Sequence, residues 1–379
     1  MEEFLPALLQ GLERRCRVLT ARLTDFPADP DVRDHALGAY QMVESIRREV
    51  VRLLADPSLG APTLLPNHLQ EYRRWNELAR LVESYPLPFI ERYSALDQRL
   101  TRLCRQLLEQ VGWPLPHPLV AAFSREYYWT LAPFSLICTP ATEGTTLLGL
   151  SDLCHELGHI LLLNYEDSLI GDFRPELVGY IERERQRVDR AQRPPQYHQL
   201  YDLLLAQWRD EWLREFVSDM VATYLTGPAF AWQHVRLCVG SSEAAFHPSL
   251  GEMAEHPAEE ARLSGMLAVL ERMNTGAVAT RIRALWDTYL SVSTESRPAE
   301  YDVCYPQTLI DSLARRTIEG CQALGLRSFG HLADSSGPID IPSLISEAWE
   351  RFMSNPQAYF DWEHQQLDAL WQELGVRSS

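Results

Sequence analysis

The chain is short of positive charge, of paired cysteines and of long apolar runs, and each shortage closes off a class of protein. Lys and Arg number 35 against 52 Asp and Glu, a formal net charge of -17 over 379 residues. Nucleic acid and anionic membrane surfaces are polyanions, so neither is expected as the main partner. The 7 cysteines are scattered and form no CxxC pair. An odd, unpatterned set without an export signal predicts reduced thiols and a cytoplasmic location. Apolar runs such as Ile160 to Leu163 fall far short of the ~20 residues a membrane helix needs, so no membrane span is expected. The opening stretch MEEFLPALLQGLERRC is acidic at once. It lacks a basic region followed by an apolar one, and no signal peptide is read there. Low-complexity tracts and internal repeats are also absent.

What is present suits a globular protein: 46% hydrophobic residues and 23% charged, enough apolar material for a sizeable core. The length suggests two or three domains. Residues 1–112 read as a helical N-terminal domain. Asp29-Pro30 looks like an N-cap with proline at the first helical position, followed by Val32, Leu37, Tyr40, Val43, Ile46, Val50 and Leu53 at helical steps. Arg47, Arg48 and Arg52 on this helix read as a solvated face. A second helix is expected over Phe89 to Val111. Gly112-Trp113-Pro114-Leu115-Pro116 punctuates the chain. Tyr127 to Thr130 and Phe134 to Thr139 are then the best strand candidates. Glu176 to Arg193 reads as a charged helix ended by Pro194-Pro195. Residues 199–225 read as one long helix closed by Gly227-Pro228. A loop-rich stretch follows from Gly240 to Pro257. The rest is helical, with a break around Asp334 to Pro338. The expected fold is therefore mainly α with a small β-sheet, divided as 1–112, 113–275 and a helical C-terminal region, 276–379.

Between the strand candidates and the charged helix lies SDLCHELGHILLLNYED, residues 151–167. His155 and His159, four apart on a helix, project from one face and can meet on a single tetrahedral ion. Glu156 sits too far round to be a third ligand, but it can reach a water beside the ion and act as base. Leu153, Leu157, Ile160 and Leu161 supply apolar surroundings. Cys154 reads as a small buried hydrophobe rather than a ligand. A catalytic zinc usually takes three protein ligands, and REFVSDM offers the third. Glu215 can bind zinc, and Asp219, one turn on, can hold the other nitrogen of a ligating histidine. Ala222 keeps that face slim. Glu211, one turn earlier, competes with Glu215, and lone acids at this spacing commonly just face solvent. His256 opens HPAEEAR, which enters a helix at Pro257 and carries Arg262. His247, in FHPSL, is a weaker rival to His256, because no arginine follows it at the matching spacing. GEMAE at Gly251 to Glu255 is set aside as a site element.

HELGH, EFVSD and HPAEEAR, in that order, resemble the gluzincin metallopeptidases of the CAAX prenyl protease and HtpX type, over roughly residues 120–275. The resemblance implies a zincin-like metallopeptidase core flanked by helical regions. It implies zinc held by His155, His159 and Glu215, with Glu156 as general base and Asp219 behind the ligands. His256 and Arg262 would lie near the metal, as transition-state stabiliser or gating ligand and as its support. The implied activity is zinc-dependent endopeptidase action on a protein or peptide substrate, which could add as a strand to the edge preceding the HELGH helix. Tyr224 is a candidate to help hold the oxyanion, a core tyrosine being the other reading. The rival expectation is a catalytically silent or structural-zinc interaction protein, with the helical flanks binding a regulatory partner.

Overall fold

The computed structural model describes residues 4–24, 30–124, 127–142, 146–191, 196–241, 245–246, 256–293, 295–330 and 339–375. Within them the chain is mainly helical, with three short strands: β1 (Leu119–Ala121), β2 (Trp129–Leu131) and β3 (Leu136–Cys138), in the sheet order β1-β3-β2. β3 falls inside the second expected strand segment, and β2 overlaps the first and runs one residue past it, to Leu131. Between them Ala132–Phe134 forms a 3-10 turn. β1 was not expected: three consecutive buried residues carry no alternation to read. The Asp29 cap, Pro194-Pro195, His247, Gly251 to Glu255 and the break at Asp334 to Pro338 lie outside the described residues. Among the described residues no helix is long and apolar enough to cross a membrane.

The chain divides into two compact units. One comprises residues 1–101, 118–122 and 133–136; the other comprises 102–117, 123–132 and 137–379. These boundaries differ from the three-part division expected from sequence.

In the first unit the helices Phe4–Leu23 and Pro30–Leu54 pack on each other. Leu5, Leu9, Leu12, Cys16, Leu19 and Leu23 are buried on one, and Val32, Ala36, Ala39, Val43, Ile46, Val50 and Leu53 on the other. Both sets step by alternating four and three residues, the repeat of a coiled-coil seam. The expected stripe is thereby corrected at two positions. Leu37 is exposed and Tyr40 half-buried, and the small Ala36 and Ala39 take the seam. Arg47 pairs with Glu44 and reaches Glu13, and Arg52 pairs with Glu49, in keeping with a solvated face. The expected Phe89 to Val111 helix is two helices, Pro86–Arg92 and Ala95–Val111. Ser94 interrupts them and caps the second. Its N–H and hydroxyl donate to Asp97 (2.7 and 2.6 Å), and its own oxygen accepts from the Asp97 N–H (3.2 Å). This is the reciprocal arrangement of a capping box.

The second unit is built round the HELGH helix, Leu150–Ile170, which is buried on every side from Leu150 to Gly158 and again from Ile160 to Leu162. Its main neighbour is the EFVSD helix, Leu213–Thr226, and the helix Gln307–Ala323 also packs on it. The expected long helix over 199–225 runs as Gln196–Gln207, a π-helical turn Trp208–Trp212, and Leu213–Thr226. Two tryptophans anchor the π turn: Trp208 stacks on Phe216 at 5.0 Å and Trp212 lies 4.7 Å from Tyr305. Gly227 ends the run with φ +62°, and Pro228 starts the next helix, Pro228–Gly240. The charged helix is observed as Phe173–Arg190.

Gly158, inside HELGH, sets the spacing of the two site helices. A Cβ there would stand 2.6 Å from the Cα of Ser218 and 3.1 Å from its carbonyl oxygen. The helices therefore touch backbone to backbone, closer than any side chain permits. Gly158→Ala should destabilise the protein by about 1–3 kcal/mol through overpacking, outweighing the roughly 0.5–1 kcal/mol that alanine gains in a helix. Denaturant unfolding measures this; an equal or higher midpoint would disprove the close approach.

Candidate metal centre

Three side chains from these two helices converge. His155 Nε2 lies 3.1 Å from His159 Nε2 and 3.6 Å from Glu215 Oε2, and His159 Nε2 lies 3.4 Å from Glu215 Oε1. Ligand atoms about 2.0–2.1 Å from one tetrahedral zinc stand about 3.3 Å apart. The separations, with each Glu215 oxygen facing a different imidazole, are thus of the size of a zinc coordination face. Two imidazoles and a carboxylate suit zinc better than calcium or magnesium, which prefer all-oxygen sets. Glu211 is not part of the cluster; it lies in the π turn, which breaks the helical stripe it would have shared with Glu215.

Two of the three donors, His155 and Glu215, are held from behind. The His155 ring stacks on Phe230 at 5.7 Å, and its Nδ1 lies 2.9 Å from Asp219 Oδ1. Arg262 donates to both Asp219 oxygens, each bond 2.8 Å. His256 Nδ1 lies 2.9 Å from Glu215 Oε2. Of the residues expected near the metal, His256 therefore sits on the Glu215 carboxylate and Arg262 on Asp219. Two of the Arg262 N–H groups are thereby spent on a buried acid. The same guanidinium also lies 3.8 Å from Glu215 Oε2. Tyr224 follows the core reading of the two: its buried hydroxyl donates to the Leu326 carbonyl at 3.0 Å. Leu153, Leu157, Ile160 and Leu161 are all buried, and so is Cys154, whose thiol is pushed well up by burial. Ala222 is buried, and Gly158 leaves no room for a Cβ against Ser218.

Sequence reasoning missed Asp152, one turn before His155 and Glu156. It accepts from the Tyr127 hydroxyl and from Gln233 Nε2, both at 2.6 Å. Its position three and four residues ahead of the motif was a readable signal; its partners were not. All seven cysteines are buried and none is in a disulfide.

Asp152, Glu156, Glu215 and Asp219 are four buried acids within one small volume. Burial raises Asp152 to about 6, against the hydrogen bonds from Tyr127 and Gln233. Burial, with Glu215 and Asp152 adding to it, pushes Glu156 up to about 7 against the pull of His155. Burial also opposes the ionisation of Glu215 and Asp219, but their partners prevail. His256, His159, His155 and Arg262 bring Glu215 down to about 2, and Arg262 and His155 hold Asp219 far below the carboxylate range. The two histidines split. Burial lowers both, but contact with Asp219 and Glu215 overrides it at His155, which rises to about 9. At His159 burial prevails over the attraction of Glu215, and His155 adds its repulsion, giving about 4. The facing nitrogens thus share at most one proton, and the site keeps a negative excess that a cation can neutralise. Comparison with protein-family models, with curated proteins and with solved structures finds no match for this chain.

In protein free of metal, Glu156 makes stability depend on pH. The Glu156 pKa is higher folded than unfolded, so its ionisation weakens the fold as pH rises from about 4.5 to about 7. Glu156→Gln removes that penalty. It should gain on the order of 3 kcal/mol over wild type above that window and nothing from this source below it. Unfolding curves at about pH 4 and about pH 8 measure the difference; the same gap at both would contradict the assignment.

Proposed function

We propose that the chain is a zinc-dependent endopeptidase of the gluzincin kind. It carries a zincin-like core and resembles the CAAX prenyl protease and HtpX type in its three site elements. The observation that carries this reading is the convergence of His155, His159 and Glu215 at zinc-ligand spacing, with Glu156 buried beside them. A structural site has no use for such a base. Zinc in a three-ligand site lowers the pKa of water toward ~7 and polarises a carbonyl.

The chain's own residues supply the rest. Glu156, with a pKa raised to about 7, is suited to take the proton of the water that attacks a peptide carbonyl and to return it to the leaving nitrogen. Asp219 and Phe230 fix the His155 ring, and Arg262 fixes Asp219. His256, half exposed, is placed to meet an approaching substrate while it contacts Glu215. β2 lies against the HELGH helix and is an outer strand of the small sheet. The substrate class this reading implies is a protein or peptide.

The test compares wild type, Glu156→Gln and His159→Ala in metal content and in cleavage of an unfolded protein. Glu156→Gln should keep its zinc and lose about 10²–10⁴-fold in turnover. His159→Ala should lose one ion per chain along with activity. Full cleavage by Glu156→Gln would remove the base from its role. Zinc retained with no cleavage by wild type would favour a silent, partner-binding protein.

A further inference from the structure

A second group of metal-binding side chains lies behind the first. His234 and Cys238 are four apart on the helix Pro228–Gly240, the spacing that brings His155 and His159 together. Glu259, the first residue of the helix Glu259–Arg272, reaches the same point. His234 Nε2 stands 3.6 Å from Cys238 Sγ and 3.4 Å from Glu259 Oε2, and Cys238 Sγ stands 3.7 Å from Glu259 Oε2. With zinc bonds of about 2.3 Å to sulfur and about 2.0–2.2 Å to nitrogen and oxygen, tetrahedral coordination separates sulfur from either partner by about 3.6 Å and nitrogen from oxygen by about 3.4 Å. The three separations agree with a zinc face to about an ångström-tenth, including the longer edges that sulfur requires.

We propose that His234, Cys238 and Glu259 form a second site for a zinc-class divalent cation, with donors entirely different from those of the first. His234 and Cys238 are buried, so the site is shielded from bulk water. A thiolate with an imidazole favours zinc over magnesium or calcium. The group also makes a cation-free network: His234 Nε2 lies 3.1 Å from the Glu259 carbonyl oxygen, and the Cys238 thiol donates to the Glu259 carboxylate. Metal binding replaces that network with a balanced set of changes. The Cys238 proton leaves to solvent, the His234 proton moves from Nε2, where it meets the Glu259 carbonyl, to Nδ1, and one dative bond forms to each of sulfur, nitrogen and oxygen. The Arg262 guanidinium, 3.8 Å from Glu259 Oε2, opposes a cation there; a thiolate and a carboxylate set two negative charges against it.

The placement of Arg262 gives the site a consequence. Its guanidinium holds Asp219, which holds His155, and its NH1 faces Glu259. A cation on Glu259 takes up that carboxylate's charge and leaves Arg262 to Asp219 alone. The second ion thus ties the Pro228–Gly240 helix to the start of the Glu259–Arg272 helix and firms the support of the first centre. This consequence rests on the peptidase reading; the existence of the site does not.

Cobalt is the probe, because only a cysteine ligand gives a thiolate-to-cobalt charge-transfer absorption in the near ultraviolet, and the first centre has no cysteine. The full chain, stripped of metal and titrated with Co²⁺, should develop this absorption to a plateau, with about two ions bound per chain in all. Cys238→Ser should lose the absorption and one ion, with its circular dichroism unchanged. Glu259→Gln should weaken the cobalt affinity of this site at least about 10-fold. His159→Ala should lose the other ion and keep the absorption, so failure of the first centre and failure of the second are read separately. Wild-type protein that binds cobalt without the absorption would overturn the proposal, as would an absorption that survives in Cys238→Ser.

Discussion

Asp219 is an ionised carboxylate with no access to solvent, and the geometry of the first centre descends from it. Burying such a charge alone costs several kcal/mol, and the fold retains it because Arg262 meets both oxygens in a planar fork. Once held, Asp219 sets which His155 nitrogen is free, since Nδ1 is drawn to the carboxylate and Nε2 is left to face His159 and Glu215. Stacking on Phe230 stops the ring from tilting. Loss of Arg262 would strand a buried charge, and loss of Asp219 would free a ring. Neither residue needs to touch a substrate to matter.

The second constraint is steric. The two helices that carry the donors are brought into backbone contact by Gly158 opposite Ser218. The imidazole and carboxylate side chains are short, so their atoms approach to about 3.3 Å only if their helices run unusually close. The π turn at Trp208–Trp212 serves the same end from the other side. It adds a residue to one turn, and Trp208 stacking on Phe216 locks that turn beside the start of the EFVSD helix. Glu211 is carried out of the cluster, while Glu215 is brought into it.

Much of the centre was readable in the sequence because its information is local. The i,i+4 spacing of His155 and His159 and of Glu215 and Asp219 fixes a helix face without any knowledge of tertiary structure. Helix identity was readable for the same reason, since periodicity and proline-glycine punctuation act within a few residues. Errors arose where a small residue outranked a large one, or where the partner was distant. Leu37 and Tyr40 looked like core because they are large, yet Ala36 and Ala39 hold the seam because the four-three step demands those positions. The Phe89 to Val111 pattern concealed the Ser94-Asp97 cap. Asp152 gains its meaning from Tyr127 and Gln233, and no spacing rule joins those three.

HPAEEAR shows how one short element can serve two sets of donors. His256 turns toward Glu215, Glu259 turns toward His234 and Cys238, and Arg262, one turn later, lies between Asp219 and Glu259. A helix start presents successive side chains to different neighbours, because the first turn is only partly enclosed by its own backbone. The tyrosine hydroxyl of Tyr305 accepts from the Ala258 N–H at 3.0 Å, satisfying one donor that the helix leaves open and fixing where that turn begins. A shift of this turn by one residue would rotate Glu259 and Arg262 by about 100°, parting both from their present partners. The position of Tyr305 therefore bears on both clusters together, although it contributes a ligand to neither.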